Sequence, residues 1–487
     1  MKKNFMDIGL IYFIGQFLIK GISFLLIPIY SKYLGAEIYG ELAIIDIFLS
    51  IFSIICTFSI QSGYIRFYDQ DIDGKGLSTA FNFSIVTILC YGIIICFIGK
   101  FFPYDSLGLH NGYLILLFIF FRGSIEQLIV LLESIYSMEY RVKKIITLRL
   151  VITVLSLGLI IYMVVCRHKT IIGIYSGWII GQLPILIYLI WDNRQRLKFI
   201  FDIKLFKKMS SFSFGLLLGN MSYLILSMID RLFLKEYKTF TDVGVYSMGY
   251  KFGVLFEVFF IYSFKKMFTP FKFKEYKSYD FEEKVNKFYL YYTILGVVIC
   301  LFISVNIKWI LDIFTTREFL KAYTITPLIV MSYLFYGYTE FYTIGIHLSN
   351  KSYISSIVIF IGGFINTIAN FYLIKNFGMY GAAISTIISY LIMNIIYFNF
   401  SQKMFYICFN ILSSVKIILI GIIFYFLYLY ISVLNLNIII DLTLGNMIGL
   451  IYSILLYKYF TPLDIKKEIK IYINIKLKMA RQLRKNI

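Results

Sequence analysis

Apolar runs of about 20 residues recur along the whole chain, and they constrain its fold more than any other feature. Each run is long enough to cross a bilayer as an α-helix, and none alternates as a barrel strand does. Charged residues make up 15% of the 487 residues, whereas soluble domains contain about 25%. The sequence therefore predicts an all-α polytopic membrane protein of about fourteen transmembrane helices. The runs lie near 8–30, 40–62, 78–101, 112–137, 145–166, 171–191, 210–233, 244–268, 288–311, 323–348, 353–374, 379–400, 414–434 and 438–460.

Short motifs repeat at an offset of 204 to 208 residues, which indicates a duplicated six-helix unit. An even number of helices in each unit makes the two copies parallel, as in transporters built from two like halves. The matching pairs are Gly40 with Gly244, Lys143 with Lys351, and Gly173 with Gly381.

The repeat predicts the domain organisation. We expect an N-terminal six-helix bundle at 1–195 and a C-terminal six-helix bundle at 196–405. Two additional transmembrane helices follow at 406–460, and a basic cytoplasmic tail occupies 461–487.

The net charge of +20 is distributed unevenly between the two sides of the membrane. With fourteen crossings, roughly 31 Lys and Arg fall in the loops and termini on one side and roughly 10 on the other. This asymmetry sets topology, so both termini are expected in the cytoplasm, and it argues against a nucleic-acid partner. The richest basic stretches, at 193–208, 265–287 and 458–485, are expected to contact anionic lipid headgroups.

The chain contains no arrangement that is typical of an enzyme. Its three histidines are scattered, its six cysteines have no paired spacing, and no phosphate loop or nucleophile elbow occurs. The sequence therefore predicts neither catalysis nor a metal or cofactor, and it argues against an ATP-driven pump.

Charged residues within the apolar runs are the strongest functional signal, because charge at membrane depth is costly. The cations Lys20, Arg122 and Lys251 are the candidates for binding an anionic substrate, and Gln16 lies one turn from Lys20. The candidates for ion coupling are the carboxylates Asp46, Glu126 and Glu257.

Each of these residues also has a purely structural interpretation. Arg122 and Glu126 are four residues apart and would form an ion pair within one helix, and Lys20 would extend to the membrane surface. We expect Asp230-Arg231 to close a helix at its outer end, where a loop contact is as plausible as a site. Four further residues lie near predicted helix ends and are assigned to the interface: Glu133, Arg149, Asp312 and Glu340.

The charged stripe on the fourth run allows two hypotheses. Arg122, Glu126 and Glu133 share one helix face, so Glu126 would be held ionised by Arg122 and released when an anionic substrate competes. The alternative is a permanent pair within the first bundle. By the repeat offset, Asp46 lies one position from the equivalent of Lys251, and we expect these two to approach each other when the cavity closes on one side.

Several motifs together resemble the Wzx-type polysaccharide repeat-unit flippases, which serve O-antigen, capsule or exopolysaccharide synthesis. These flippases belong to the multidrug/oligosaccharidyl-lipid/polysaccharide exporter superfamily. The likeness covers most of the chain through the twelfth run. It is carried by Tyr33-Leu34-Gly35-Ala36-Glu37-Ile38-Tyr39-Gly40, by Gln61-Ser62-Gly63-Tyr64-Ile65-Arg66-Phe67-Tyr68, by Asp230-Arg231 with Val243-Gly244-Val245-Tyr246-Ser247, and by Phe377-Gly378-Met379-Tyr380-Gly381-Ala382-Ala383-Ile384.

The resemblance implies two pseudo-symmetric six-helix bundles in a V, as in multidrug exporters, around a cavity that opens alternately to each side. It implies a bacterial cytoplasmic membrane protein that flips an undecaprenyl-diphosphate-linked oligosaccharide outward for a polysaccharide polymerase. Related lipid II flippases carry a cationic cluster on their first and eighth helices, a place that Lys20 and Lys251 would fill here.

The predicted mechanism needs no chemical step. Lys20, Arg122 and Lys251 would replace water around the diphosphate, and an H⁺ or Na⁺ gradient would act through Asp46, Glu126 or Glu257. Three alternatives remain at this point. They are a drug or metabolite cation antiporter of the same superfamily, a flippase for lipid II or teichoic-type lipid-linked glycans, and an uncoupled scramblase or scaffold.

Overall fold

The structure is a computed structural model that describes residue 15 and residues 17–71, 74–101, 111–168, 170–351, 353–434 and 438–460. Within these ranges the regular structure is helical and contains no strand. The predicted all-α fold is therefore confirmed. Gln16, the first fourteen residues and the predicted basic tail at 461–487 lie outside the described residues.

Eighteen α-helices follow one another in the described residues, and we number them in chain order, with α1 comprising the helical residues 17–24. A π-helical turn, Glu257–Ile261, joins α9 to α10. The others are α2 Leu26–Cys56, α3 Ile60–Arg66, α4 Lys75–Ile98, α5 Gly112–Met138, α6 Val142–Ile161, α7 Ile171–Asp192, α8 Ile203–Tyr237, α9 Phe240–Phe256, α10 Tyr262–Glu275, α11 Phe281–Phe314, α12 Ala322–Gly337, α13 Thr339–Tyr342, α14 Ile344–Leu348, α15 Tyr353–Phe377, α16 Met379–Met404, α17 Ile411–Ser432 and α18 Ile438–Tyr459.

Twelve helical stretches in the described residues are long and apolar enough to cross a membrane. Eleven of them each overlap one predicted run, and Leu26–Cys56 overlaps the end of the run at 8–30 and most of the run at 40–62. The run at 323–348 is instead divided into α12, α13 and α14, because single turn residues, Tyr338 and Thr343, separate them. The first run is described only in part. The helix of this run consists of α1 and the part of α2 that precedes Gly35. Gly35 has a φ of +69°, which interrupts the helical backbone of α2 at that residue.

The helices pack as two compact units, which we describe separately. The larger unit comprises the described residues of Met1–Phe259 together with Leu311–Met404. The smaller unit comprises Phe260–Ile310 and the described residues from Phe405 onward. The predicted boundary near residue 195 falls in the linker between α7 and α8, and the domain division stays a prediction.

Two glycines bring α2 and α9 into backbone contact inside the larger unit. A Cβ added at Gly40 would lie 1.9 Å from the carbonyl oxygen of Phe240. A Cβ added at Gly244 would lie 1.9 Å from the carbonyl oxygen of Ala36. Both Gly40 with Gly244 and Ala36 with Phe240 are 204 residues apart, so the contact is the same when the two copies are exchanged. This symmetry supports the predicted duplication.

The turn inside α2 is held by a loop that follows α11. Gly35 takes the left-handed conformation that glycine adopts without strain, and the next backbone N–H, at Ala36, donates to Glu318 Oε2 at 2.8 Å. The Thr316 N–H donates to Ser31 Oγ at 2.6 Å. A carboxylate at the start of a helical segment satisfies an otherwise open N–H, so this loop fixes the angle at which α2 continues.

The smaller unit is closed by polar and small residues between long helices. The side-chain amides of Asn306 in α11 and Asn446 in α18 exchange hydrogen bonds at 3.0 and 3.1 Å. Gly421 in α17 admits the side chains of Val297 and Tyr452, which a Cβ there would meet at 2.6 and 3.1 Å. Such close approaches and interhelical amide bonds are typical of helix packing in membranes.

Candidate functional site

A cavity of about 370 Å³ lies within the larger unit, between helices of both predicted repeats. Its lining comes from α1, α2, α5, α7, α8 and α9. The charged residues among the described lining are Lys20, Asp46, Arg122, Arg231 and Lys251. Four cations and one carboxylate give this part of the cavity an excess of positive charge.

Arg122, from α5, is held at the cavity by one carboxylate and two aromatic rings. Its Nη1 lies 3.5 Å from Asp46 Oδ1, and its guanidinium carbon lies 5.0 Å from the ring centre of Tyr175 and 5.1 Å from that of Trp178. The Tyr175 hydroxyl donates to Asp46 Oδ1 at 2.9 Å. These contacts fix the plane of the guanidinium while the carboxylate remains 48% exposed.

Arg231, from α8, is held in a similar way by different partners. Its Nε donates to Ser247 Oγ at 3.3 Å, and its Nη1 donates to the Ser227 carbonyl at 3.0 Å. Asp230 Oδ1 lies 3.4 Å from the same Nη1, and the guanidinium carbon lies 4.4 Å from the ring centre of Tyr250. Arg231 is therefore a buried residue with a fixed orientation at the cavity.

The position expected for Asp230-Arg231 was wrong. We expected the pair to close a helix at its outer end, but α8 continues to Tyr237, and both residues are buried. The helix ends where Thr239 and Asp242 form a capping box that starts α9. Sequence reasoning missed Arg231 as a cavity residue because a charged pair after an apolar run is usually a helix end.

Lys20 and Lys251 reach the same cavity from α1 and α9. The Lys251 ammonium lies 4.9 Å from the ring centre of Tyr39 and 5.3 Å from that of Tyr30, both in α2. The exposed side chain of Lys20 also lines the cavity. The three predicted substrate-binding cations therefore share one cavity.

Asp46 and Lys251 line the same cavity, as the repeat offset suggested. The carboxylate of Asp46, however, contacts Arg122 and Tyr175, whereas the ammonium of Lys251 lies over tyrosine rings. Their direct approach in another conformation stays a prediction.

Glu126 is not paired with Arg122, so the predicted pair within one helix was wrong. Its Oε1 accepts from Arg149 Nη1 at 2.6 Å, and its Oε2 accepts from Gln182 Nε2 at 2.7 Å. Arg149 Nη2 also lies 2.6 Å from Glu133 Oε2. Glu126 is instead held by partners on the neighbouring helices α6 and α7, in short, charge-assisted contacts that the spacing within α5 does not reveal.

We call Glu126, Glu133, Arg149 and Gln182 the Arg149 cluster. Glu133 and Arg149 were assigned to the interface from their positions in the sequence, but Glu133 is 6% exposed and both are packed between helices. Glu340, assigned in the same way, is also buried, whereas Asp312 is exposed. No member of the Arg149 cluster is among the described residues that line the cavity.

Glu257 begins the π-helical turn after α9 and is partly buried. The Tyr223 hydroxyl lies 3.5 Å from its Oε1, and the Tyr223 ring lies 6.3 Å from that of Tyr336. Glu257 is not among the described cavity residues either. Of the three predicted coupling carboxylates, Asp46 is therefore the one at the cavity.

A metal site is not indicated in the ranges that the structure describes, where no group of three or more His, Cys, Asp or Glu side chains comes together.

The fold is that of helical membrane transporters. The chain is similar to the lipid II flippase MurJ in an inward closed conformation, with a TM-score of 0.74 and 20% identity over 92% of this chain and 99% of that one. It is also similar to an inward-facing multidrug resistance MATE family transporter of the MOP superfamily, with a TM-score of 0.62 and 12% identity over 79% and 94%. At these identities the likeness establishes the fold.

A model of the family described as "Polysaccharide biosynthesis protein" matches residues 7–271. The chain belongs to this family, which confirms the resemblance that the sequence motifs suggested. It is 28% identical over 272 residues to a protein of Haemophilus influenzae described as "Uncharacterized membrane protein". That alignment covers 55% of this chain, and the chain spans 65% of the length of that relative.

Proposed function

We propose that this protein is a flippase that moves an undecaprenyl-diphosphate-linked oligosaccharide across the bacterial cytoplasmic membrane by alternating access. One observation carries the proposal: in a cavity lined by helices of both predicted repeats, the described lining contains four cations, Lys20, Arg122, Arg231 and Lys251, and one carboxylate, that of Asp46. A diphosphate that enters a membrane must exchange water for fixed positive partners, and such cations supply charge-assisted hydrogen bonds.

In this proposal Lys20, Arg122 and Lys251 bind the diphosphate, as the sequence predicted. The glycan would occupy the wet part of the cavity, and the lipid tail would remain in the bilayer. The family match supports a role in polysaccharide biosynthesis, and the structural likeness to a protein named as a lipid II flippase supports lipid-linked glycans as the substrate class.

The contacts favour Asp46 as the carboxylate that couples transport to an H⁺ or Na⁺ gradient. Asp46 is paired with Arg122, and an incoming diphosphate would compete for the same guanidinium. The released carboxylate would then take up a cation, so substrate and ion exclude each other on one arginine. Glu126 and Glu257 have partners away from the cavity, and a coupling role for them would have to act through those partners.

The proposed topology has both termini in the cytoplasm, because the loops and termini with the excess of Lys and Arg are expected on the cytoplasmic side of a membrane. Anionic lipids would contact those loops, and a polysaccharide polymerase would use the exported product.

A cation antiporter is the second candidate, and the structural likeness to multidrug transporters supports it. The charge of the cavity argues against it, because a cationic drug would meet four cations and one carboxylate among the lining residues that the structure describes.

A deletion strain tests the proposal. Cells without the protein should accumulate an oligosaccharide linked to undecaprenyl diphosphate, identifiable by mass spectrometry of the lipid extract. In the deletion strain, the export rate with Lys251→Ala should be lower than with the wild type by a factor of about ten or more. The reason is that hydrogen bonds from charged groups contribute about 1.5–3 kcal/mol. Lys251→Arg should restore part of the export.

Lys416→Ala is a matched control, because Lys416 is an exposed lysine of the membrane-crossing helix α17 and does not line the cavity. It should support normal export. Absence of any lipid-linked glycan in the deletion strain, or full export by Lys251→Ala at equal expression, would refute the proposed substrate or the proposed ligand.

A further inference from the structure

A second pocket, of about 320 Å³, lies between the start of α4 and the start of α8 within the larger unit. Its described lining contains three lysines, Lys75 in α4 with Lys204 and Lys208 in α8, and two carboxylates, Asp71 and Asp202. The described linings of this pocket and of the cavity share no residue. In the proposed topology the pocket is on the cytoplasmic side, at the membrane surface where both helices begin.

The two carboxylates of the pocket cap the helix starts. Asp71 Oδ1 accepts from the Lys75 N–H and its Oδ2 accepts from the Gly76 N–H, both at 2.7 Å. Asp202 Oδ1 accepts from the Leu205 N–H at 3.0 Å. A carboxylate is stabilised at a helix N-terminus because it satisfies open N–H groups there. The two acids therefore have a structural role, and the three lysines leave the described lining with an excess of one positive charge.

The segment that leads into α8 carries exposed apolar side chains beside this pocket. Phe199, Phe201 and Ile203 occupy alternate positions, all three are exposed, and Phe199 is fully so. Asp202, which lines the pocket, lies directly between Phe201 and Ile203 in the sequence. Apolar side chains next to lysines are typical of segments that enter the surface of a membrane with anionic lipids. The combination favours a phospholipid over a soluble phosphate as the anion for this pocket.

The start of α8 is also packed against α3 and α4. The Asp202 N–H donates to Thr79 Oγ1, in α4, at 3.0 Å. A Cβ added at Gly63, in α3, would lie 2.5 Å from the carbonyl oxygen of Met209 in α8. A ligand that contacts the lysines of both α4 and α8 would strengthen a contact that the protein already makes.

We propose that this pocket binds the phosphate of an anionic phospholipid such as phosphatidylglycerol, and that the bound headgroup holds the starts of α4 and α8 together. Lys75, Lys204 and Lys208 attract the phosphate, and Phe199 and Phe201 extend into the lipid beside it. A general attraction of basic loops to a charged surface needs no pocket, whereas this site takes one headgroup at a defined place.

Native mass spectrometry of the purified full-length protein tests the site, with phosphatidylglycerol and phosphatidylethanolamine as probes. The wild type should bind its first phosphatidylglycerol at least about fivefold more tightly than phosphatidylethanolamine, whose headgroup has no net charge. Lys208→Gln should lower the affinity for that phosphatidylglycerol about fivefold, and Lys204→Gln with Lys208→Gln about twentyfold. Both side chains are exposed, so these variants are expected to fold.

Lys207→Gln is a matched control, because Lys207 is an exposed lysine of the same turn of α8 and lies outside the described lining. It should keep the wild-type affinity. Phe199→Ser should weaken the binding of phosphatidylglycerol about threefold or more, because the lipid no longer buries an aromatic ring. If the double lysine variant keeps the wild-type affinity, or if Lys207→Gln loses as much as Lys208→Gln, the site is overturned.

A large excess of inorganic phosphate separates a lipid from a soluble ligand. Phosphatidylglycerol should stay bound, and its displacement would overturn the phospholipid in favour of a soluble phosphate. Hydrogen exchange at the start of α8 tests the bridging role: phosphatidylglycerol should slow it in the wild type and not in the double lysine variant. Binding without this protection would overturn that role. The flippase proposal does not depend on these outcomes, because the variants leave the described lining of the cavity unchanged.

Discussion

Arg122 and Arg149 lie on neighbouring helices of the first predicted repeat, and their surroundings differ. Arg149 has a carboxylate at 2.6 Å on each Nη and a third contact through Nε to Glu133. Arg122 has one carboxylate at 3.5 Å and aromatic rings. An arginine saturated by acids has little capacity for a ligand, whereas one held mainly by rings keeps its donors. The groups that a charged side chain contacts, rather than its position along an apolar helix, distinguish a structural arginine from one that is available to a ligand.

The largest expected effect lies in the Arg149 cluster. Arg149→Met would leave Glu126 and Glu133 close together without their cation and should lower the free energy of unfolding by about 3–5 kcal/mol. Chemical denaturation of the purified protein in detergent measures this loss. Arg122→Met is the matched variant and should cost about 1 kcal/mol or less, because its one carboxylate is half-exposed. Equal losses in the two variants would remove the distinction between the sites.

An intermediate effect is expected for Glu126→Gln. Arg149 would keep Glu133 as its partner, so the variant loses one charge-assisted hydrogen bond and about 1.5 kcal/mol of stability. Transport by reconstituted vesicles should keep its dependence on the ion gradient. If that dependence disappears while the protein stays folded, Glu126 is the coupling carboxylate and the cluster is not merely structural.

The smallest effect on stability is expected for Asp46→Asn. An exposed ion pair contributes about 0–1 kcal/mol, so the free energy of unfolding should change by less than that. Transport, in contrast, should lose its dependence on the gradient, because the neutral amide has no negative charge for a proton or Na⁺ to neutralise. Vesicles with and without an imposed gradient provide the measurement, with Glu126→Gln as the comparison. Gradient-dependent transport by Asp46→Asn would remove the coupling role of this carboxylate.

The sequence predicted the helices well because a bilayer requires long apolar runs, and such runs are visible without any knowledge of packing. It also identified three of the cavity cations, because Lys20, Arg122 and Lys251 lie far inside apolar runs. The sequence did not predict which charged residues pair with each other. The spacing of Arg122 and Glu126 indicates a shared face, but it does not indicate that α6 presents Arg149 to Glu126.

Arg231 shows a second limit of the sequence. A charged pair at the end of an apolar run is compatible with a helix end or with a polar wall inside a bundle, and hydropathy does not separate the two. The choice depends on whether another helix offers hydrogen-bond partners, as Ser247, which accepts from Arg231, and the hydroxyl of Tyr246, which donates to Asp230, do here. These partners were present in a quoted motif 16 residues further along the chain, yet no spacing rule links the two motifs.

The contact between Gly40 and Gly244 has a consequence for the evolution of a duplicated chain. Duplication normally frees one copy to change while the other preserves the original role. Here a methyl group added at either glycine would meet a backbone carbonyl of the other copy, and a backbone carbonyl cannot be exchanged for a smaller group. Neither copy can therefore compensate for a change in its counterpart, and both positions remain under the same steric demand however far the two sequences diverge elsewhere.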